Sequence, residues 1–159
     1  MQKRKVQNGI IDVPLGVRRI RKLYDFASSF YFMSNPIEKK ARMRALELAH
    51  IKPEDKVLEV AVGPGFNFLE IIKKVNGNNI VHGIDLSPKM LEKTRRLLTG
   101  KGFSNFDLRE ADARSLPFPD ETFDVLYNSY MLDLIPLEDF AVVLNDVFGK
   151  YKGTHLRQS

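Results

Sequence analysis

The hydrophobic pattern of this chain changes period along its length. From Val17 to Phe32, apolar residues fall at Val17, Ile20, Leu23, Tyr24, Ala27, Phe30 and Tyr31, the spacing of one helical face. Ser34-Asn35-Pro36 ends that helix and starts a second, with Pro36 at a first-turn position where no backbone donor is needed. The second helix runs to about His50 and is expected to bury Ile37, Ala41, Ala45 and Leu48. Lys52-Pro53-Glu54-Asp55 is a turn, and beyond it strands and helices alternate. KVLEVAV reads as a strand, Asn67 to Val75 as a helix and IVHGID as a second strand. Ser87 caps the next helix, Pro88 opens it, and Met90, Leu91, Thr94, Leu97 and Leu98 line one face. Phe106, Leu108 and Glu110 alternate with Asp107, Arg109 and Ala111, which predicts a third, half-exposed strand at a sheet edge. FDVLYNSYM is a fourth strand, apolar enough for a central position. Leu137, Phe140, Ala141, Leu144, Val147 and Phe148 make the stripe of a last helix. This alternation predicts an α/β fold, a doubly wound parallel sheet with helices on both faces, preceded by N-terminal helices.

Composition narrows the class. A hydrophobic content of 43% suits a folded domain, and no apolar stretch approaches the roughly 18 residues of a membrane span. The basic N-terminus lacks the apolar segment and small cleavage residues of a secretory signal, so a cytoplasmic protein is expected. Cysteine is absent, which excludes disulfides, thiolate metal sites and cysteine nucleophiles. His50, His82 and His155 show no metal-ligand spacing, so no metal is expected. The net charge of +5 is concentrated early: residues 1–56 carry 13 Lys and Arg against 6 Asp and Glu. Such an excess is most often a solvated helix surface, and no motif here points to nucleic acid.

In doubly wound sheets ligands sit beyond the carboxyl ends of the strands. Four features fall there. Glu59 lies in an otherwise apolar run that breaks into Gly63-Pro-Gly65, a turn that admits a ligand close to the backbone. Asp85 closes the second strand, where a carboxylate can accept from a ribose diol. Asp112, followed by Ala113, ends the third strand, and Asn128-Ser129 interrupts the fourth. A dinucleotide would require G-x-G-x-x-G, but Ala61-x-Gly63-x-Gly65 has no third glycine in place, and Phe66 and Phe68 would crowd a diphosphate. A nucleoside without phosphates fits better.

The set VLEVAVGPGF, GIDLSPKML, ADARSLPFPDETFDVLY and LEDFAVVLNDVF resembles class I S-adenosylmethionine-dependent methyltransferases, notably the ubiquinone/menaquinone-biosynthesis group, from about Tyr24 to Phe148. The resemblance implies a Rossmann-like sheet whose first four strands run in the order 3-2-1-4. It implies S-adenosyl-L-methionine as cofactor and methyl transfer to a small-molecule acceptor. By it, Glu59 would hold the methionine ammonium, Gly63 and Gly65 would let the backbone lie against methionine and ribose, and Asp85 would bind the ribose hydroxyls. Leu86 would pack on the adenine, Asp112 would accept from its amino group beside the Ala113 backbone, and the Asn128 region would meet the methionine end. Tyr24 would help cover the cofactor. Ala61 stands where the family usually has its first glycine. No catalytic base is assigned.

The family's sheet has seven strands and this chain offers four, so it reads as a truncated member. The expected division is an N-terminal helical cap region over residues 1–50, an incomplete cofactor-binding core over 51–149 and a polar tail over 150–159. The alternative function is a non-catalytic cofactor-binding domain, or one completed by a homodimer partner or a second chain.

Overall fold

The computed structural model describes residues 6–7, 10–11, 36–75, 77, 79–129, 131 and 135–153, with side chains from Lys39 onward. The helix expected over Val17 to Phe32, with Tyr24 and the aromatics that follow it, lies outside the described residues.

A short antiparallel pair, β1 (Val6–Gln7) and β2 (Ile10–Ile11), precedes helix α1 (Pro36–Leu48). Then follow β3 (Val57–Val60), α2 (Phe66–Lys74), β4 (Val81–Asp85), α3 (Pro88–Thr99), β5 (Phe106–Glu110) and β6 (Val125–Asn128). A 3-10 turn (Leu137–Asp139) leads into α4 (Phe140–Gly149). The four strands from β3 onward form one parallel sheet in the order β5-β4-β3-β6, which is the 3-2-1-4 order expected. β5 is the edge its alternating pattern predicted. β6, expected to suit a central position, closes the other side of this sheet among the described residues.

Period-2 side-chain alternation sorts the central strand between two cores. Val57 joins Phe68, Ile71 and Ile72 of α2, Leu91 and Leu98 of α3, and Leu46 of α1. Leu58 and Val60 face the other way, with Ile84, Ala113, Leu116, Phe118, Phe123 and Val143 of α4. Helices therefore cover both faces, and the backbone groups of the buried strands are satisfied by the ladder. Among the described residues no helix is long and apolar enough to cross a membrane.

α3 forms as its sequence dictates. The Ser87 hydroxyl accepts from the Met90 N–H, and Pro88 opens the helix. Met90, Leu91, Thr94 and Leu98 are buried. α1 departs from expectation. Ala41, Ala45 and Leu48 are exposed, and Leu46 is the buried residue, with Ala49 packed beside it. Apolar residues surround this helix (Ile37, Ala41, Met43, Ala45, Leu46, Leu48), so spacing alone selects no stripe, and contact with α2 decides. The Arg42 guanidinium lies over the Phe66 ring on that same side. α4 differs in the same way: Val143 is buried, while Leu137, Ala141 and Phe148 are exposed.

The segment after α4 lacks an alternating pattern, yet its first residues attach to the sheet. The Lys150 carbonyl accepts from the Thr122 and Phe123 N–H groups, and the Lys152 N–H donates to the Phe123 carbonyl, each at 3.0 Å. Tyr151 thereby makes a parallel bridge to Phe123, at the entry to β6.

Candidate functional site

Glu59 stands in β3 opposite Gly83 of β4 and Tyr127 of β6, and only 1% of its surface is exposed. Gly83 leaves no side chain next to it; a Cβ there would lie 2.5 Å from the Phe68 ring. Burial pushes the Glu59 carboxyl well above the usual range, a hydrogen bond with the Asn67 side chain opposes this, and the nearby Asp85 charge adds to the rise. Its Oε2 has no hydrogen-bond partner among the described residues. A buried acceptor left in this state is unfavourable by about 1–3 kcal/mol, so the position suits a donor that the described residues do not supply.

Past β3 the chain turns sharply. Ala61, Gly63 and Gly65 all take positive φ, at 62°, 54° and 84°. The two glycines differ in what surrounds them. A Cβ on Gly65 would meet the Thr94 hydroxyl at 2.7 Å, whereas one on Gly63 would meet nothing within 4 Å. Gly65 is therefore required for packing against α3, and among the described residues Gly63 faces open space where a ligand can approach the backbone.

Asp85 secures this turn from the next strand. Its Oδ2 accepts the Gly63 N–H and its Oδ1 accepts the Ser87 N–H, both at 2.8 Å. Thr94 adds a brace, its hydroxyl donating to the Gly63 carbonyl at 2.9 Å. Leu86 follows, half-buried. The Ala111 N–H donates to the Asp85 carbonyl at 3.1 Å, joining the end of β5 to the end of β4. On the far side, the Asn128 amide donates to the Val60 carbonyl at 2.8 Å and holds the end of β6 against β3.

Asp112, just beyond β5, is gripped by Arg114, whose hydrogen bonds hold its carboxyl below the ordinary range. The same guanidinium reaches Asp139 at 3.0 Å. Ala113 is buried in the second core.

The candidate residues Glu59, Ala61, Gly63, Gly65, Asp85, Leu86, Asp112, Ala113 and Asn128 thus gather at the carboxyl ends of four adjacent strands. Tyr24 lies outside the described residues. Spacing alone did not reveal Asn67, Thr94, Arg114 or Asp139. Thr94 was hidden in an apolar stripe, although a lone hydroxyl amid Leu and Met was the signal available.

Residues 57–152 match the family described as a methyltransferase domain, and the chain belongs to that family. It is similar to the ubiquinone/menaquinone biosynthesis C-methyltransferase UbiE of Teredinibacter turnerae, 33% identical over 69% of this chain and 45% of that one. The fold is shared with a SAM-dependent methyltransferase of Aquifex aeolicus (21% identity, TM-score 0.60, covering 87% of this chain and 68% of that one). It is shared too with the [4+2]-cyclase SpnF (17% identity, TM-score 0.72, covering 87% and 57%). The chain spans less than half the length of the first curated relatives it matches.

Proposed function

We propose that this chain is the cofactor-binding part of an S-adenosyl-L-methionine-dependent methyltransferase acting on a small-molecule acceptor. The observation that carries the reading is the Oε2 of buried Glu59, unpartnered among the described residues, beside a glycine turn that these residues leave open at Gly63. An ammonium group supplies the donor and the positive charge that this oxygen lacks, and makes the ionised carboxylate favourable in a buried place. The cofactor has such a group at its methionine end, a ribose diol and an adenine, and the residues fit all three. Asp85, which holds Gly63 and Ser87, would also accept from the ribose hydroxyls. Leu86 offers an apolar contact to the base, Asp112 an acceptor for its amino group, and Ala113 a backbone N–H. Asn128 keeps its own carbonyl near the methionine end, and Tyr24 belongs to the same reading as a cover.

When bound, the cofactor supplies an electrophilic methyl group on a sulfonium. The protein's part is to fix that group in line with the acceptor, and orientation of this kind is worth up to about 7–11 kcal/mol. Glu59 and Asp85 anchor the methionine end and the ribose of the ligand, and strand ends keep both anchors rigid. The name of the UbiE relative supports a quinone-like acceptor for this chain.

Titration calorimetry with S-adenosylmethionine and S-adenosylhomocysteine tests the reading, with micromolar binding and a raised melting temperature expected. Absence of both heat and thermal shift overturns it. A second reading is favoured by β6, which has a sheet neighbour on one side only among the described residues. In it, the domain binds the cofactor but needs further strands from a homodimer partner or a second chain for turnover. Cofactor binding without methyl transfer, together with a dimer by light scattering, supports that version.

A further inference from the structure

Asp112 is about one-third exposed, and a surface carboxylate of that kind ordinarily swings among several rotamers. Here a single residue immobilises it. The Arg114 backbone N–H donates to Oδ1 at 2.9 Å. Its Nε donates to Oδ1 at 3.0 Å and Oδ2 at 3.1 Å, and Nη2 also donates to Oδ2. The remaining arm, Nη1, crosses to Asp139 Oδ2 at 3.0 Å, at the start of α4. The same loop is tethered to α4 a second time, by the Leu116 N–H donating to the Asp146 carboxylate. The planar fork of a guanidinium can span two carboxylates in this fixed relation, which a lysine ammonium cannot reproduce.

We propose that Arg114 is a positioning residue for nucleobase recognition, aiming the Asp112 carboxylate and coupling it, through Asp139, to the start of α4. The proposal rests on the reading of Asp112 as acceptor for the adenine amino group. Each carboxylate oxygen offers about two acceptor positions, and three Arg114 donors, with the Nε–H shared between both oxygens, take up most of that capacity on Asp112. The direction left for another donor is therefore set by where the guanidinium lies. Loss of the Arg114 side chain leaves the carboxylate charged and held by the backbone N–H of residue 114 alone, so its aim loosens and its preference for a base that donates is weakened.

The test compares S-adenosylhomocysteine with S-inosylhomocysteine, in which the amino group is replaced by an oxo group, by calorimetry on the full chain. Wild type is expected to prefer the adenosyl ligand by about tenfold or more, the scale of one lost polar contact. Arg114→Met is expected to reduce that ratio by about fivefold, Arg114→Lys to restore part of it, and Asp139→Asn, remote from the base, to reduce it by about twofold. The ratio is read rather than the affinity, because general loosening of the fold weakens both ligands alike. Equal affinities in wild type overturn the assignment of Asp112 and the proposal with it. A wild-type preference left unchanged in Asp139→Asn and in Arg114→Met overturns the role of Arg114 alone. Should Arg114→Met fail to fold, Arg114→Lys and Asp139→Asn decide by the same ratio.

Discussion

Asp85 Oδ2 accepts the backbone N–H of Gly63 at 2.8 Å, so the carboxylate at the end of β4 holds the turn at the end of β3. With Oδ1 on the Ser87 N–H, one side chain organises two of the loops of the candidate site.

Replacing it therefore disturbs the two loops themselves as well as ligand binding. Asp85→Asn keeps one carbonyl oxygen but loses the charge and one acceptor. A loss of about 1.5–3 kcal/mol is expected, as for hydrogen bonds to a charged group. Chemical denaturation of the ligand-free chain measures it, and calorimetry should show cofactor affinity falling by at least about tenfold. Unchanged denaturation with weakened binding would indicate that Asp85 serves the ligand only.

Glu59 makes stability depend on pH. Its folded-state pKa is raised, so its contribution is complete below the unfolded value of about 4.3 and is lost as pH rises through the folded value. Thermal melts of the ligand-free chain should show wild type losing ground to Glu59→Gln over that interval. An ammonium ligand reverses the preference. Wild type then takes up the cofactor with release of a proton, more tightly as pH rises, whereas Glu59→Gln binds weakly and without that slope. Calorimetry in two buffers of different ionisation heat detects the proton.

Ala61 adopts a left-handed conformation, with φ at 62°. That conformation is unfavourable for an L-residue by about 1–2 kcal/mol, while glycine adds about 0.5–1 kcal/mol of backbone entropy. Ala61→Gly should therefore stabilise the chain by roughly 0.5–1 kcal/mol, with cofactor affinity unchanged or improved. A denaturation midpoint that falls would count against this account.

Gly83 is the reverse case. A methyl group there would meet Phe68 at 2.5 Å, Val62 at 2.6 Å and Leu108 at 2.9 Å, all in the core next to Glu59. Gly83→Ala should destabilise the fold by about 1–3 kcal/mol through overpacking. Gly77→Ala, where a Cβ meets nothing within 4 Å but φ is 73°, serves as a comparison for backbone strain without crowding.

Local physics was enough for the alternation of strands and helices, the Ser87-Pro88 start of α3 and the edge position of β5. Side-chain period, capping chemistry and turn residues act within a few positions of one another, so they can be read along the chain. The carboxylates Glu59, Asp85 and Asp112 were legible for a similar reason, since a charge within or at the end of an apolar strand is conspicuous. Tertiary contact decided the rest. Leu46 rather than Ala45 or Leu48 is buried in α1 because α2 lies on that side, a choice that a helix apolar on several faces does not make by itself. The Glu59 carboxyl is pushed above its usual range because strands and a helix packed around it remove water from it. Arg114 acquires its place from Asp139, a partner 25 residues away. In each case the deciding energy is desolvation or a long-range ion pair, and neither exists until the sheet has brought its strand ends together.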